Sequence, residues 1–173
     1  MDASLKQLHD QIDDATAGLL ETLSRLTDDD VRRPSLLPGW TRGHVLTHLA
    51  RGGDALRNLL DGRPAYVSRD ARNADIEAGA TRSAAELAAD VRASAAAFRE
   101  TALAQPDDGW TRVLTVDGVG SFPASEVLVR RLVELELHHV DLDAGYRSTD
   151  WPTTFNVLEL PEPMRTQRAD RIV

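Results

Sequence analysis

Histidine is scarce in this chain, and its placement is the first chemical clue. Five occur in 173 residues: His9, His44, His48, His138 and His139. Glu134 and His138 are four apart, and so are His44 and His48. On a helix that step returns a side chain to the same face, so each pair can aim at one ion. Two imidazoles and a carboxylate from facing helices form a ligand set for a divalent metal, with zinc the first expectation. Non-haem iron and nickel accept the same donors. Three protein ligands leave a position open for water or substrate, as catalytic zinc sites do. Spacing alone does not choose His44 over His48, or His138 over His139. For any one pair taken singly, a solvated surface contact is the plainer alternative.

Four stretches have the period needed to carry such residues. Leu5, Leu8, Ile12, Ala15, Leu19, Leu20 and Leu23 recur at three- and four-residue steps, which predicts a helix from about Ser4 to Leu26. The acidic run Asp28 to Asp30, then Pro34 and Pro38, is expected to end it. A second helix is expected after Thr41, a suitable N-cap, with Val45, Leu46, Leu49, Leu56, Leu59 and Leu60 on its apolar face. Gly52 and Gly53 inside that helix cost on the order of 1 kcal/mol each against Ala, which implies close packing or an irregularity. The stretch from Ala65 to Arg82 reads as a polar connection. Ser83-Ala84-Ala85-Glu86 is a capping box that opens a third helix, to about Leu103. Val113, Leu114 and Val116, then Asp117-Gly118, read as a short hairpin. Pro123 suits the first turn of a fourth helix, which runs to about Asp143. The expected fold is all-α: a four-helix bundle with a short β-hairpin before the fourth helix.

Composition narrows the function classes. A formal charge of −8 argues against a nucleic-acid partner. No stretch approaches the roughly 18 apolar residues of a membrane span, and the N-terminus lacks a signal-peptide core, so the expected location is cytoplasmic with no membrane partner. Cysteine is absent, which removes disulfides, thiolate metal sites and a cysteine nucleophile. Lys6 is the single lysine among 20 basic residues, a usage that suggests a GC-rich genome. Monomer and homodimer are both open.

The segment from Leu37 through Pro38-Gly39-Trp40-Thr41-Arg42-Gly43-His44 to His48 and Ala50 resembles the second-helix motif of the mycothiol-dependent maleylpyruvate isomerase family. Arg72-Asn73-Ala74-Asp75-Ile76-Glu77 to Ser83, and Arg131-Leu132-Val133-Glu134-Leu135-Glu136-Leu137-His138-His139 to Leu142, resemble the same family in the same order. The likeness runs from the first helix to about Tyr146. It implies a DinB-like metal-binding bundle, residues 1–147, and an actinobacterial source. It also implies the ligand set His48, Glu134 and His138, with His44 in a supporting or packing role. His139 is then expected to meet backbone or solvent, and His9 to face water. Asp141 could orient the free ring nitrogen of His138 or lie in solvent. Trp40 is read as a core anchor, and Arg82 as a substrate or loop contact. Where relatives often carry Asn, this chain has Gly52. Full-length members continue into a second α/β domain, whereas residues 148–173 read as a tail or linker, or as the start of a truncated second domain.

The resemblance implies a metal-dependent, mycothiol-dependent enzyme acting on an electrophilic small molecule. It would isomerise a cis double bond by thiolate addition and elimination, or transfer the thiol. Coordination to a metal would deprotonate a thiol that is mostly protonated at neutral pH. Arg42, Arg51 and Arg131 are candidates to pair substrate carboxylates. The alternative is a non-catalytic metal-binding bundle serving as a stress-related or partner-binding protein.

Overall fold

The computed structural model describes residues 3–172. Four long helices form the bundle: α1 (Ala3–Leu23), α3 (Arg42–Leu60), α5 (Ala84–Leu103) and α6 (Glu126–Asp141). Short helices α2 (Asp28–Val31), α4 (Arg69–Gly79), α7 (Thr153–Asn156) and α8 (Met164–Ala169) fill in around them. Strands β1 (Val113–Val116) and β2 (Gly120–Pro123) pair antiparallel, Val116 opposite Gly120, before α6. Gly118, at φ +76°, supplies the left-handed residue that the expected Asp-Gly turn requires. The all-α bundle with its hairpin is the architecture that the periodicity predicted.

Local chemistry explains the main boundaries. Thr41 caps α3 and Ser83 caps α5, each accepting at Oγ from the backbone N–H three residues on. α3 is the central helix, packed against α4, α5 and α6. Gly53 makes the approach to α5 possible: a Cβ there would lie 2.5 Å from Ser94 Oγ. Ser94 in turn donates to the Ala50 carbonyl at 2.6 Å. Leu46, Leu49, Leu128, Leu132 and Leu135 are at most 1% exposed, so the centres of the apolar faces of α3 and α6 are buried.

Four expectations need correction. The first helix stops at Leu23, and the acidic run begins α2 instead of merely ending a helix, because Thr27 and Asp30 cap it reciprocally. Pro123 lies in β2 opposite Val113, and α6 starts only at Glu126. The polar connection contains α4, whose contribution to burial is essentially Ile76 plus the backbone of Gly79, where a Cβ would strike Thr47 at 2.4 Å. Beyond residue 148 the sequence shows no period, yet Trp151, Phe155, Leu160 and Met164 all belong to the core. Trp151 also donates from Nε1 to the Glu136 carbonyl at 3.3 Å. Among the described residues no helix is long and apolar enough to cross a membrane.

Candidate metal centre

His48 comes from the middle of α3, where the helix is enclosed on three sides; Glu134 and His138 come from one face of α6. Their side chains meet. His48 Nε2 lies 3.0 Å from His138 Nε2 and 2.9 Å from Glu134 Oε2, and His138 Nε2 lies 3.3 Å from that same oxygen. Among the described residues this is the one group of ligand-type side chains whose donor atoms all fall within 4.8 Å. Zinc bonds of about 2.0–2.2 Å in a tetrahedron separate neighbouring donor atoms by about 3.3–3.6 Å, so the triangle is within a few tenths of an ångström of the required edges. Glu134 Oε2 is buried and makes no well-directed hydrogen bond, although both imidazole Nε2 atoms lie within 3.3 Å of it. The donor set and this orphaned oxygen fit a divalent cation.

The electrostatics point the same way. Burial would raise the Glu134 carboxyl, but His138 and His48 beside it outweigh that and hold it well below 4.5. For His138 burial acts to lower the imidazole, but the hydrogen bond to Asp141 and the Glu134 carboxylate beside the ring push it up to about 9. Without metal, the cluster therefore retains protons where a cation would replace them.

Three neighbouring groups contact the ligands. Asp141, a single turn beyond His138 and 2% exposed, takes the Nδ1 of that ring at 2.8 Å, so it is a buried partner and not a solvated acid. Burial raises Asp141, and His138 and Arg171 more than reverse it. His48 has an unexpected partner: Arg72 of α4 donates from Nη2 to His48 Nδ1 at 3.0 Å. Trp40 stands with its ring edge-on to His48 at 5.6 Å, so it walls the ligand as well as packing on the core.

His44 points elsewhere. Its Nδ1 completes the capping box of α3 by accepting from the Thr41 N–H at 3.1 Å, and its Nε2 lies 3.3 Å from Glu77. His44 thus caps its own helix and stays outside the cluster of donor atoms. The expectations for His139 and His9 need correction. His139 finds side chains, with Nε2 2.8 Å from Thr22 Oγ1 and its ring stacked on Tyr146 at 3.8 Å. Burial, then the nearby Arg25, lowers His139 to about 4. His9 is 6% exposed and edge-on to Trp110, not turned to water.

Beside the ligands lies a cavity of about 400 Å³, lined by His48, Gly52, Tyr66, Arg72, Arg130 and Glu134 on its polar side. Leu56, Leu59, Val116, Phe122, Val133 and Met164 supply apolar walls. The Glu134 side chain is 37% exposed, so the carboxylate opens onto this space although Oε2 is buried. Gly52 is part of that opening; a Cβ there would sit 3.9 Å from Glu134 Oε2.

None of the three arginines named from sequence lines the cavity. Arg42 donates to the Leu142 and Asp143 carbonyls and so caps the end of α6. Arg51 pairs with Asp54 at 3.2 Å and Asp90 at 2.5 Å. Arg131 is fully buried, donates to the Leu49 carbonyl at 2.9 Å, and is lowered by burial to about 10. Arg82 joins Asp90 of α5 at 2.8 Å. Arg72 and Arg130 are the cavity arginines. Neither has a spacing signal, because a lone arginine in a polar stretch resembles any solvated one; for Arg72 the single pointer was its place in the family-like segment.

Residues 12–143 match the model of the mycothiol maleylpyruvate isomerase N-terminal domain. A crystal structure of the mycothiol-dependent maleylpyruvate isomerase superposes with a TM-score of 0.82 at 30% identity, covering 87% of this chain and 65% of that one. A histidine-to-alanine mutant of that enzyme gives the same TM-score at 29% identity. This chain thus spans 65% of the length of the solved structures it matches. No curated protein matches it. On the extent of the matched region, the chain belongs to the mycothiol maleylpyruvate isomerase N-terminal domain family.

Proposed function

We propose that this chain is a metal-dependent enzyme of the maleylpyruvate isomerase type, using mycothiol as its thiol. The observation that carries the reading is the convergence of His48 Nε2, Glu134 Oε2 and His138 Nε2 within 2.9–3.3 Å beside an open cavity. These three residues would hold the ion, and zinc is the metal the donor set suits first. Such an ion, when bound, would lower the pKa of a thiol so that the thiolate is available at neutral pH.

The protein's own residues have distinct tasks in this reading. Asp141 fixes the His138 ring and keeps its Nδ1 proton in place, which leaves Nε2 free for a ligand role. Glu134 supplies negative charge at neutral pH without needing to lose a proton first. Arg72 and Arg130 offer cationic hydrogen-bond donors at the cavity wall for a substrate carboxylate. The apolar side chains opposite shield the reacting thiol and electrophile from water. In the isomerisation, the thiolate adds to a cis double bond, which becomes a single bond and rotates; elimination then returns the thiolate and yields the trans isomer. Thiol transfer to an electrophile uses the same first step.

In this reading residues 1–147 make up the metal-binding domain, and the segment from Trp151 to Met164 packs on its core. The open, partly exposed Glu134 argues against a closed structural metal site in a non-catalytic bundle. The test is turnover of a cis-configured maleylpyruvate-type substrate, or consumption of a generic electrophile, with and without mycothiol. Thiol-dependent turnover that disappears in Glu134→Ala supports the proposal. Metal binding with no thiol-dependent turnover would replace it with the binding-protein reading.

A further inference from the structure

The metal centre has a support that lies outside the family-matched stretch. Arg171, just beyond α8, donates from Nε to Asp141 Oδ1 at 2.9 Å and from Nη2 to Oδ2 at 2.7 Å. The Asp141 side chain is 3% exposed and that of Arg171 17%, so this two-pronged pair is largely removed from solvent. The same Oδ2 is the atom that meets His138 Nδ1 at 2.8 Å. Arg171, Asp141 and His138 thus form a continuous chain ending at the cluster of donor atoms.

Two further contacts fix where Arg171 stands. Arg168 donates from Nη1 to the carbonyls of Phe155 and Leu158 at 2.6 and 2.9 Å, which ties α8 to the preceding turn. Met164 is buried, and with Pro163 and Gln167 it forms part of the cavity wall beside His48 and Glu134. The segment is therefore at the site for two independent reasons.

We propose that Arg171 is a positioning residue of the metal centre, holding Asp141 so that Asp141 in turn holds the His138 ring for ligation. The inference rests on the metal-centre reading. A carboxylate bonded to one imidazole alone keeps rotational freedom about its last bond. With both oxygens engaged by a planar guanidinium it does not, and the ring it orients loses freedom with it. Ordering the ligand before the ion arrives reduces the cost of ordering it on binding.

The test uses the full chain and its R171M and R171K variants. Zinc affinity is measured by competition with a chromogenic chelator, the cobalt(II) absorption spectrum is recorded, and helicity of the metal-free forms is followed by circular dichroism. R171M is expected to retain the wild-type helical signal, to bind zinc about 10–100-fold more weakly and to shift the cobalt spectrum. R171K, which keeps the charge but not the two-pronged contact, is expected to fall between. R171M binding zinc within twofold of wild type overturns the proposal. Should R171M not fold, R171K decides: weaker binding supports the proposal and unchanged binding overturns it. A wild-type chain that binds no zinc refutes the metal centre itself and this inference with it, which is a distinct result from equal binding by wild type and variants.

Discussion

Arg72 donates to His48 Nδ1 at 3.0 Å, and since a guanidinium has no acceptor, the imidazole must accept at that atom. A neutral His48 then carries its proton on Nε2, the atom that faces Glu134 and His138. A metal-ligating imidazole bonded through Nε2 carries its proton on Nδ1 instead, where it would confront the Arg72 donor. Metal occupancy and the Arg72 contact therefore oppose one another. Arg72→Met is expected to raise zinc affinity, by several-fold to about tenfold, which is the worth of one hydrogen bond lost from the metal-free state. Competition titration checks this, and weaker zinc binding in the variant would contradict it.

The two adjacent histidines on α6 are shifted in opposite directions. His138, raised to about 9, is protonated at neutral pH in the metal-free protein, so binding must release a proton. Apparent zinc affinity is expected to rise about tenfold per pH unit from pH 6.5 toward 9. The sign for stability is the reverse: the raised value stabilises the metal-free fold fully below about 6.5, and that share is lost as pH rises through about 9. His139, lowered to about 4, stays neutral while the unfolded chain takes up a proton, so its share of stability is lost as pH falls from about 6.5 to 4. His139→Gln keeps a hydrogen-bonding group near Thr22 and should remove most of that acid loss. Urea unfolding at pH 7 and pH 4 measures it; an unchanged acid loss in the variant would count against the assignment.

The C-terminal stretch should behave as core. Phe155 is 0% exposed and lies edge-on to Trp151 at 5.3 Å. Phe155→Ala is expected to cost about 3–5 kcal/mol, as large aromatic truncations in packed interiors do. Chemical denaturation checks it. A loss below about 1 kcal/mol would mean that residues after 148 contribute little to the fold.

How far the sequence could be read depended on whether a feature was local. Thr41 and Ser83 announced their helices because capping is settled within four residues, and Asp117-Gly118 announced its turn for the same reason. The Glu134–His138 step was legible as a pair, but the partner helix was not. His44 and His48 are equivalent by spacing, and only the resemblance separated them. The structure sends His44 back to its own N-cap and His48 inward. α4 escaped because Ile76 is its main buried apolar side chain, too little to establish a period. The tail escaped because prolines interrupt it, so Trp151, Phe155, Leu160 and Met164 insert one at a time. Arg72 and Arg171 escaped because their partners are 24 and 30 residues away. Nothing in the spacing of an arginine announces a tertiary contact.

The central claim is that three side chains from two helices share one cation. Elemental analysis of the purified chain beside its Glu134→Ala and His138→Ala variants tests it most directly, with circular dichroism to verify folding. The account predicts about one equivalent of a divalent metal per wild-type chain, zinc foremost, and near-complete loss in both folded variants. Equal metal content in all three proteins, or none in the wild type after zinc supplementation and removal of the excess, would contradict it.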